Sequence, residues 1–353
     1  MERINKLRQV LKENQFDAIY VTDLLNVRYL TGFTGSTGVV FVTQDKAFFI
    51  TDFRYNTQAN QQVKSASVVI HQNGVDQEIK NLIDQEKIKT LAIEADNMNV
   101  SHYLRIQELF EVDIKASQGL IEKIRLIKDE SELATIRQAC EITDQAFEHI
   151  LTFIKPGVTE IQVANELEAF LKDKGSTGMS FDTIVASGER SAMPHGVASE
   201  KVIEDGDIVT LDFGCYYNGY SSDMTRTIAV GSISDKLKEI YEIVLEAHQR
   251  VIQEAKAGMT GKEIDAIARD YITEKGYGEY FGHSTGHGVG LNVHEMPAVS
   301  SRSEDVVVSN MVITDEPGIY IPGIGGVRIE DDLIVQEDRV VPINRSPKEL
   351  IIL

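Results

Sequence analysis

Residues 208–223 read IVTLDFGCYYNGYSSD and residues 311–330 read MVITDEPGIYIPGIGGVRIE. Set against each other, they share acid, any residue, Gly, any residue, Tyr: Asp212-Phe213-Gly214-Cys215-Tyr216 in one, Glu316-Pro317-Gly318-Ile319-Tyr320 in the other. Further on, Gly219 stands four residues before Asp223, and Gly326 four before Glu330. An apolar run leads into each first acid, so each copy predicts strand, turn, strand with an acid at the same two places.

The similarity extends upstream. Lys155, Gly157 and Thr159 recur 101 residues later as Lys256, Gly258 and Thr260, and Lys174-Gly175 recurs as Lys275-Gly276. The apolar faces between them match as well: Val163 with Ile264, Phe170 with Tyr271, Leu171 with Ile272. In the preceding helices, Ile136 matches Leu237 and Ile150 matches Val251. The first of those helices starts at an Asp129 cap, with Glu132 three residues on, and runs to about residue 154, where Lys155-Pro156-Gly157 stops it. Amphipathic helices share apolar spacing by chance, but five identities at one ungapped offset are better explained by an internal repeat. The expectation is a duplicated αα-ββ unit whose two halves face one site.

Around this core, composition sets limits. The chain has 353 residues, 42% hydrophobic and 25% charged, enough for two domains with real cores. No apolar run approaches the ~18 residues of a membrane span, and MERINKLRQV at the start is an amphipathic helix rather than a signal peptide. Lys+Arg 35 against Asp+Glu 55 gives a net charge of −20, and without a basic cluster this excludes nucleic acid as a partner. Two cysteines, Cys140 and Cys215, build neither a disulfide framework nor a zinc cluster and point to a reducing, cytoplasmic setting.

The first 120 or so residues alternate short strands with helices: helix over 1–14 and 75–86, strands over 18–21, 38–43, 46–51 and 90–93, and helix again over 101–110. The charged stretch EKIRLIKDES, from residue 122, marks the boundary. The expected organisation is an α/β domain over 1–123 and an α+β domain carrying the repeat over 124–353.

Asp212, Asp223, Glu316 and Glu330 would then lie together on paired strands. Any one of them alone would more often be an exposed strand-end acid. Four buried together would repel one another, a conflict that a divalent cation removes. Gly282-His283-Ser284-Thr285-Gly286-His287-Gly288-Val289-Gly290 is too rich in glycine for a helix and predicts a backbone that closely approaches something. His294 and His195 lie in similar settings, whereas His71, His102, His149 and His248 are assigned structural or exposed places. An oxygen-rich site with one imidazole suits Mn²⁺, and four carboxylates suit two ions ~3.5–4 Å apart. The chemistry is metal-assisted amide hydrolysis, with spare histidines serving the oxyanion or the leaving amine.

At these residues the sequence resembles the pita-bread metallopeptidases, the Xaa-Pro aminopeptidase and Xaa-Pro dipeptidase (prolidase) family. The matching segments are VTLDFG (209–214), SSDMTRT (221–227), GHSTGHGVGLNVHE (282–295), DEPGIY (315–320) and GGVRIEDD (325–332), with NVRYLTGF (26–33) and TDFRY (51–55) near the start. The resemblance implies a pita-bread catalytic domain preceded by a creatinase-like α/β domain. It makes Asp212, Asp223, His287, Glu316 and Glu330 ligands of two divalent ions, Mn²⁺ with Co²⁺ or Zn²⁺ as alternatives. Asp223 and Glu330 would ligate ions on different sides of the pair or bridge them. Glu316 would also shuttle a proton. His195, His283 and His294 match substrate-contacting and oxyanion-stabilising histidines. Arg328 would orient Glu330 or meet a substrate carboxylate, its bland alternative being a surface ion pair. Asp315 departs from the family, which has an apolar residue there, and strand alternation turns it away from the metals.

The resemblance further implies proline-containing peptide substrates and a homodimer, while the lack of a spanning apolar run predicts no membrane partner. The main expectation is an aminopeptidase that releases the first residue from peptides with proline second; the alternative is a dipeptidase restricted to Xaa-Pro. A metal-free creatinase-like hydrolase and a non-catalytic interaction protein rank lower, because all five ligands are intact. The choice between the two peptidases turns on what closes the far end of the site, with Asn26, Arg28, Tyr29, Asp52 and Arg54 as candidate wall residues.

Overall fold

In the computed structural model, which describes residues 2–353, the chain divides into two units, one ending at Arg125 and the other beginning at Leu126. The first unit runs α1 (Glu2–Glu13), β1 (Ala18–Val21), α2 (Leu24–Thr31), β2 (Val39–Thr43), β3 (Ala47–Thr51), α3 (Asn56–Gln62), β4 (Ser67–Ile70), α4 (Val75–Glu86), β5 (Thr90–Glu94), α5 (Val100–Leu109), β6 (Asp113–Ser117) and α6 (Glu122–Arg125). Ile4, Leu7 and Leu11 form the buried stripe of α1; Met1, included in the expected helix, lies outside the described residues. The strands form one sheet in the order β4-β3-β2-β1-β5-β6, antiparallel through β3-β2-β1 and parallel at both flanks. Sequence periodicity misses α2 because both polar and apolar residues of this eight-residue helix are buried, Asn26 and Thr31 beside Val27, Tyr29 and Leu30. Asn26 is a hub of this unit: its Nδ2 donates to Glu94 Oε1 at 2.7 Å, and its Oδ1 accepts from Arg125 Nη1 at 2.9 Å. Tyr29 is buried as well, whereas Arg54 is exposed and forked onto Asp52.

The second unit holds the repeat. Its helices are α7 (Glu130–Ile150), α8 (Glu160–Asp173), α9 (Asp235–Glu254) and α10 (Gly261–Glu274). Its strands are β7 (Gly178–Met179), β8 (Ile184–Ser187), β9 (Ile208–Phe213), β10 (Cys215–Tyr217), β11 (Tyr220–Ser221), β12 (Met224–Ala229), β13 (Gly286–Gly288), β14 (Glu295–Val299), β15 (Val312–Asp315), β16 (Gly318–Ile321), β17 (Gly325–Arg328), β18 (Asp331–Val335) and β19 (Val340–Pro342). The α7 helix ends a turn earlier than expected, at Ile150, but begins as expected with a capping box between Asp129 and Glu132.

The two halves agree bond by bond. Thr159 and Thr260 each cap a helix with a capping box, to Gln162 and Glu263. Ahead of the caps, Gly157 and Gly258 hold φ of 96° and 91°, and their amides donate to Ile203 O and Val307 O, both at 2.9 Å. Bridges then join Thr159 to Val202 and Thr260 to Val306.

Each half keeps its own core. One gathers Phe147, Leu167, Leu211 and Met224 from α7, α8, β9 and β12, and the other Val244, Ile264, Ile313 and Leu333 from α9, α10, β15 and β18. Burying such side chains contributes about 1.5–3 kcal/mol apiece. The strands form separate sheets, among them β12-β9-β8 and β14-β13-β15-β18-β19, rather than the one sheet that the paired acids suggested. The chain is therefore α+β in this unit and α/β in the first.

Candidate metal centre and active site

The acids lie where these two sheets end. Asp212 is on β9, Asp223 immediately precedes β12, Glu316 immediately follows β15, and Glu330 immediately precedes β18. They meet His287 of β13 in one cleft of about 470 Å³, which Pro194, His195, His283, His294 and Arg328 also line. Ligand atoms of Asp223, His287 and Glu330 lie within 4.8 Å of one another.

Close backbone packing flanks His287 on both sides. A Cβ on Gly286 would stand 2.1 Å from Thr314 O, and one on Gly288 2.1 Å from Met296 O, so only glycine lets β13 lie this close to its neighbours. This is the close approach that the glycine-rich stretch implied. His287 Nδ1 donates to Gly288 O at 3.1 Å, which leaves the Nε2 lone pair facing Asp223 Oδ2 at 3.6 Å and Glu316 Oε1 at 3.4 Å. Burial and the neighbouring His294 lower its pKa to about 4, so the imidazole is neutral and able to ligate.

Hydroxyls that sequence reasoning did not single out orient the acids. Thr225 Oγ1 donates to Glu330 Oε2 at 2.6 Å, and Thr314 Oγ1 to Glu316 Oε1 at 3.1 Å. Threonine is ordinary in a strand, so neither carries a signal of its own. The carboxylates themselves are under strain of charge. Burial, with Glu330 and Asp212 close by, raises the pKa of Asp223 well above its usual value, and burial with Glu316 does the same to Glu330. For Glu316, burial outweighs the nearby Arg328 cation and pushes the pKa up to about 8. Asp212 Oδ1 is buried with no hydrogen-bond partner. An orphaned carboxylate oxygen among mutually repelling acids and a neutral imidazole is the donor set that a divalent cation fits.

The raised values fix the sign of a pH effect. The folded-state pKa of Glu316 lies above its ordinary 4.5, so the stability this carboxyl contributes is complete below that pH and is lost as pH rises through about 8. Melting temperatures of the chelated protein should therefore fall across that window, and Glu316→Gln should flatten the fall. Identical slopes in calorimetry for the two proteins would refute the assignment.

Arg328 is buried, and its partners differ from those expected. It bonds Asp212 Oδ2 through Nη2, Thr225 Oγ1 through Nε at 3.0 Å, and Tyr320 OH through Nη1 at 2.8 Å. It is thus no surface ion pair, and it reaches Glu330 only through Thr225, whose hydroxyl accepts from Arg328 and donates to Glu330. Tyr320, matched to Tyr216 in the repeat but given no role from sequence, links it to His283. The His283 Nδ1 donates to Ser284 O at 2.8 Å, so Nε2 accepts the Tyr320 hydroxyl at 2.8 Å. Burial and the cation of Arg328 hold the His283 pKa near 4. His195 and His294 are exposed in the cleft, and their rings make no hydrogen bond among the described residues.

Two buried acids brace the histidine-bearing loops. Glu160 accepts from Ser187 N and Ser199 N, at 2.7 and 3.1 Å, on either side of His195. Asp265 accepts from Thr285 N at 3.1 Å and pairs with Arg269, whose Nη2 donates to His283 O at 2.7 Å. Both acids lie in the first two turns of a helix, where sequence suggests only a favourable charge near the helix start.

A cleft floored by buried carboxylates and a neutral imidazole, in this repeat, defines a metal-dependent peptidase of pita-bread fold. Residues 134–337 match metallopeptidase family M24, and residues 3–127 match the creatinase/prolidase N-terminal domain. The chain belongs to this family, which implies divalent metal ions. It is similar to the structure of an Xaa-Pro dipeptidase from Bacillus anthracis, with TM-score 0.99 and 55% identity over 100% of this chain and 99% of that one. The X-Pro aminopeptidase structure from Thermotoga maritima gives TM-score 0.92 and 40% identity, covering 98% of this chain and 100% of that one. An Xaa-Pro dipeptidase from Pyrococcus furiosus is 42% identical over 99% of both chains. No helix among the described residues is long and apolar enough to cross a membrane.

Proposed function

We propose that the chain is an Xaa-Pro dipeptidase that cleaves the bond between an N-terminal residue and proline. Two divalent ions, Mn²⁺ foremost, would be held by Asp212, Asp223, His287, Glu316 and Glu330. The observation carrying the metal reading is the set of crowded, mutually repelling buried carboxylates, Asp212 Oδ1 without a partner, beside the inward-facing Nε2 of His287. The main expectation from sequence, an aminopeptidase acting on longer peptides, gives way to its alternative. The relatives named dipeptidase are 55% and 42% identical, against 40% for the one named aminopeptidase.

Ions bound there would supply an activated water and polarise the scissile carbonyl. Glu316 takes the proton of the attacking water on Oε2, since Oε1 already accepts from Thr314. The leaving proline nitrogen needs a proton, and the exposed imidazoles of His195 and His294 are the donors free to give it. His283 stays neutral and fixed by Tyr320, lining the wall of the site. Arg328 acts through Asp212; its guanidinium is committed and does not receive a substrate carboxylate. A homodimer is the proposed assembly, to be checked by sedimentation, and the two buried free cysteines support a reducing, cytoplasmic setting.

The test is a pair of rate assays on chelated protein restored with Mn²⁺, using an Xaa-Pro dipeptide and the matching Xaa-Pro-Yaa tripeptide. The dipeptide should be cleaved and the tripeptide not. Comparable cleavage of the tripeptide would return the assignment to aminopeptidase. Cleavage of neither, with metal bound, would remove the proline specificity.

A further inference from the structure

Behind the acids, on the face of the strands turned away from the cleft, lies a second set of buried charges. His248 of α9 is fully buried, and both its ring nitrogens face acceptors. Its Nδ1 is hydrogen-bonded to Asp315 O at 3.2 Å and stands 2.9 Å from Asp315 Oδ2 as an ion pair without hydrogen-bond geometry, and its Nε2 lies 3.2 Å from Asp331 Oδ2. Asp315 and Asp331 are direct partners across β15 and β18. Asp331 in turn receives Arg226 Nη2 at 2.7 Å and Lys348 Nζ at 2.8 Å. Arg226 Nη1 donates to Glu330 O at 2.6 Å and to Thr225 O at 2.9 Å. Each acid held by His248 is the chain neighbour of a cleft acid, Asp315 of Glu316 and Asp331 of Glu330.

The internal repeat supplies the comparison. The position matching His248, 101 residues earlier, is Phe147. Leu211 stands before Asp212 as Asp315 stands before Glu316, and Met224 follows Asp223 as Asp331 follows Glu330. All three counterparts lie in the apolar core of their half. The matching positions are therefore apolar in one half and ionic in the other, although Leu211 and Met224 are not cross-strand partners as Asp315 and Asp331 are, since β9 and β12 pair Phe213 with Met224 and Leu211 with Arg226. Buried ion pairs are often no more stabilising than apolar groups of similar volume, so packing alone does not account for the charged version.

We propose that His248 is a positioning residue for the metal centre. By bridging Asp315 and Asp331 from behind, it reinforces the end of the β15–β18 ladder and so holds the spacing of the Glu316 and Glu330 carboxylates. This rests on the reading of Glu316 and Glu330 as ligands. Apolar side chains here would leave the spacing of the two glutamates to the backbone ladder of β15 and β18 alone.

The test transplants the apolar pair as H248F/D315L, which keeps Asp331 paired with Arg226 and Lys348. Folding is followed by the melting temperature of the chelated protein, Mn²⁺ binding by titration calorimetry, and turnover by kcat and KM. Expected are an unchanged or higher melting temperature, Mn²⁺ affinity weaker by about 10–100-fold, and a fall in kcat with little change in KM. Wild-type Mn²⁺ affinity in the variant would overturn the proposal. Should the double variant not fold, H248Q is measured in its place. Weakened Mn²⁺ binding at an unaltered melting temperature supports positioning, and unaltered binding refutes it. Failure of the wild-type protein to bind Mn²⁺ would instead count against the metal reading itself.

Discussion

Asp223→Asn and His287→Ala should each abolish metal binding and activity together while leaving the fold intact. The loss should exceed the ~10–100-fold in metal affinity that changes to outer-shell partners of a metal cost, because these substitutions remove a ligand. Asp223 is the more informative of the two. Its carboxyl is buried against Glu330 and Asp212 and is raised well above its usual pKa. An amide removes that repulsion at nearly constant volume, while its backbone amide still donates to Asp332 Oδ2 at 2.9 Å. The chelated Asp223→Asn protein should thus melt no lower than chelated wild type at pH 8, although it no longer binds Mn²⁺. Calorimetry of both chelated proteins, followed by titration with Mn²⁺, checks the two halves of the statement. Retained tight binding would show that Asp223 is not a ligand.

The second large effect is expected at His195. Its alanine variant should bind Mn²⁺ as wild type does and lose about 10²–10⁴ in kcat, the range of general acid–base contributions. The position supports a direct role: the ring is exposed, lines the cleft, and its loop is pinned on both sides by Glu160. A fall confined to KM would show a binding role only, and normal turnover would make the residue structural. His102 is the control. It lies in the first unit, held 2.9 Å from Asp76, and His102→Ala should leave kcat unchanged.

Much of this arrangement was legible in the sequence because duplication prints it twice. One acid at the end of an apolar run says little, but Asp212 and Glu316, then Asp223 and Glu330, each repeat within the same small frame. The structure brings all four to one cleft. The same frame contained Tyr320, matched to Tyr216, yet only the structure shows its hydroxyl between Arg328 and His283. What stayed illegible depends on contacts between distant strands. Thr225 reaches Glu330 across 105 residues, and His248 reaches Asp331 across 83. In sequence, one is a β-branched residue in a strand and the other a histidine on a helix, both unremarkable. Two residues from Glu330, Arg328 suggests in sequence an orienting role for that acid or a contact with a substrate carboxylate, whereas its side chain crosses to Asp212 on β9.

The glycines of β13 carry a consequence for any survey of tolerated substitutions. Gly286 and Gly288 have no chemistry to offer, yet an added methyl at either would press within 2.1 Å of a neighbouring carbonyl oxygen. Either change would push the strand aside and move His287 with it. In a saturation screen scored by activity, these two positions would rank with the acids, and intolerance alone would not separate the groups that react from the floor that holds them.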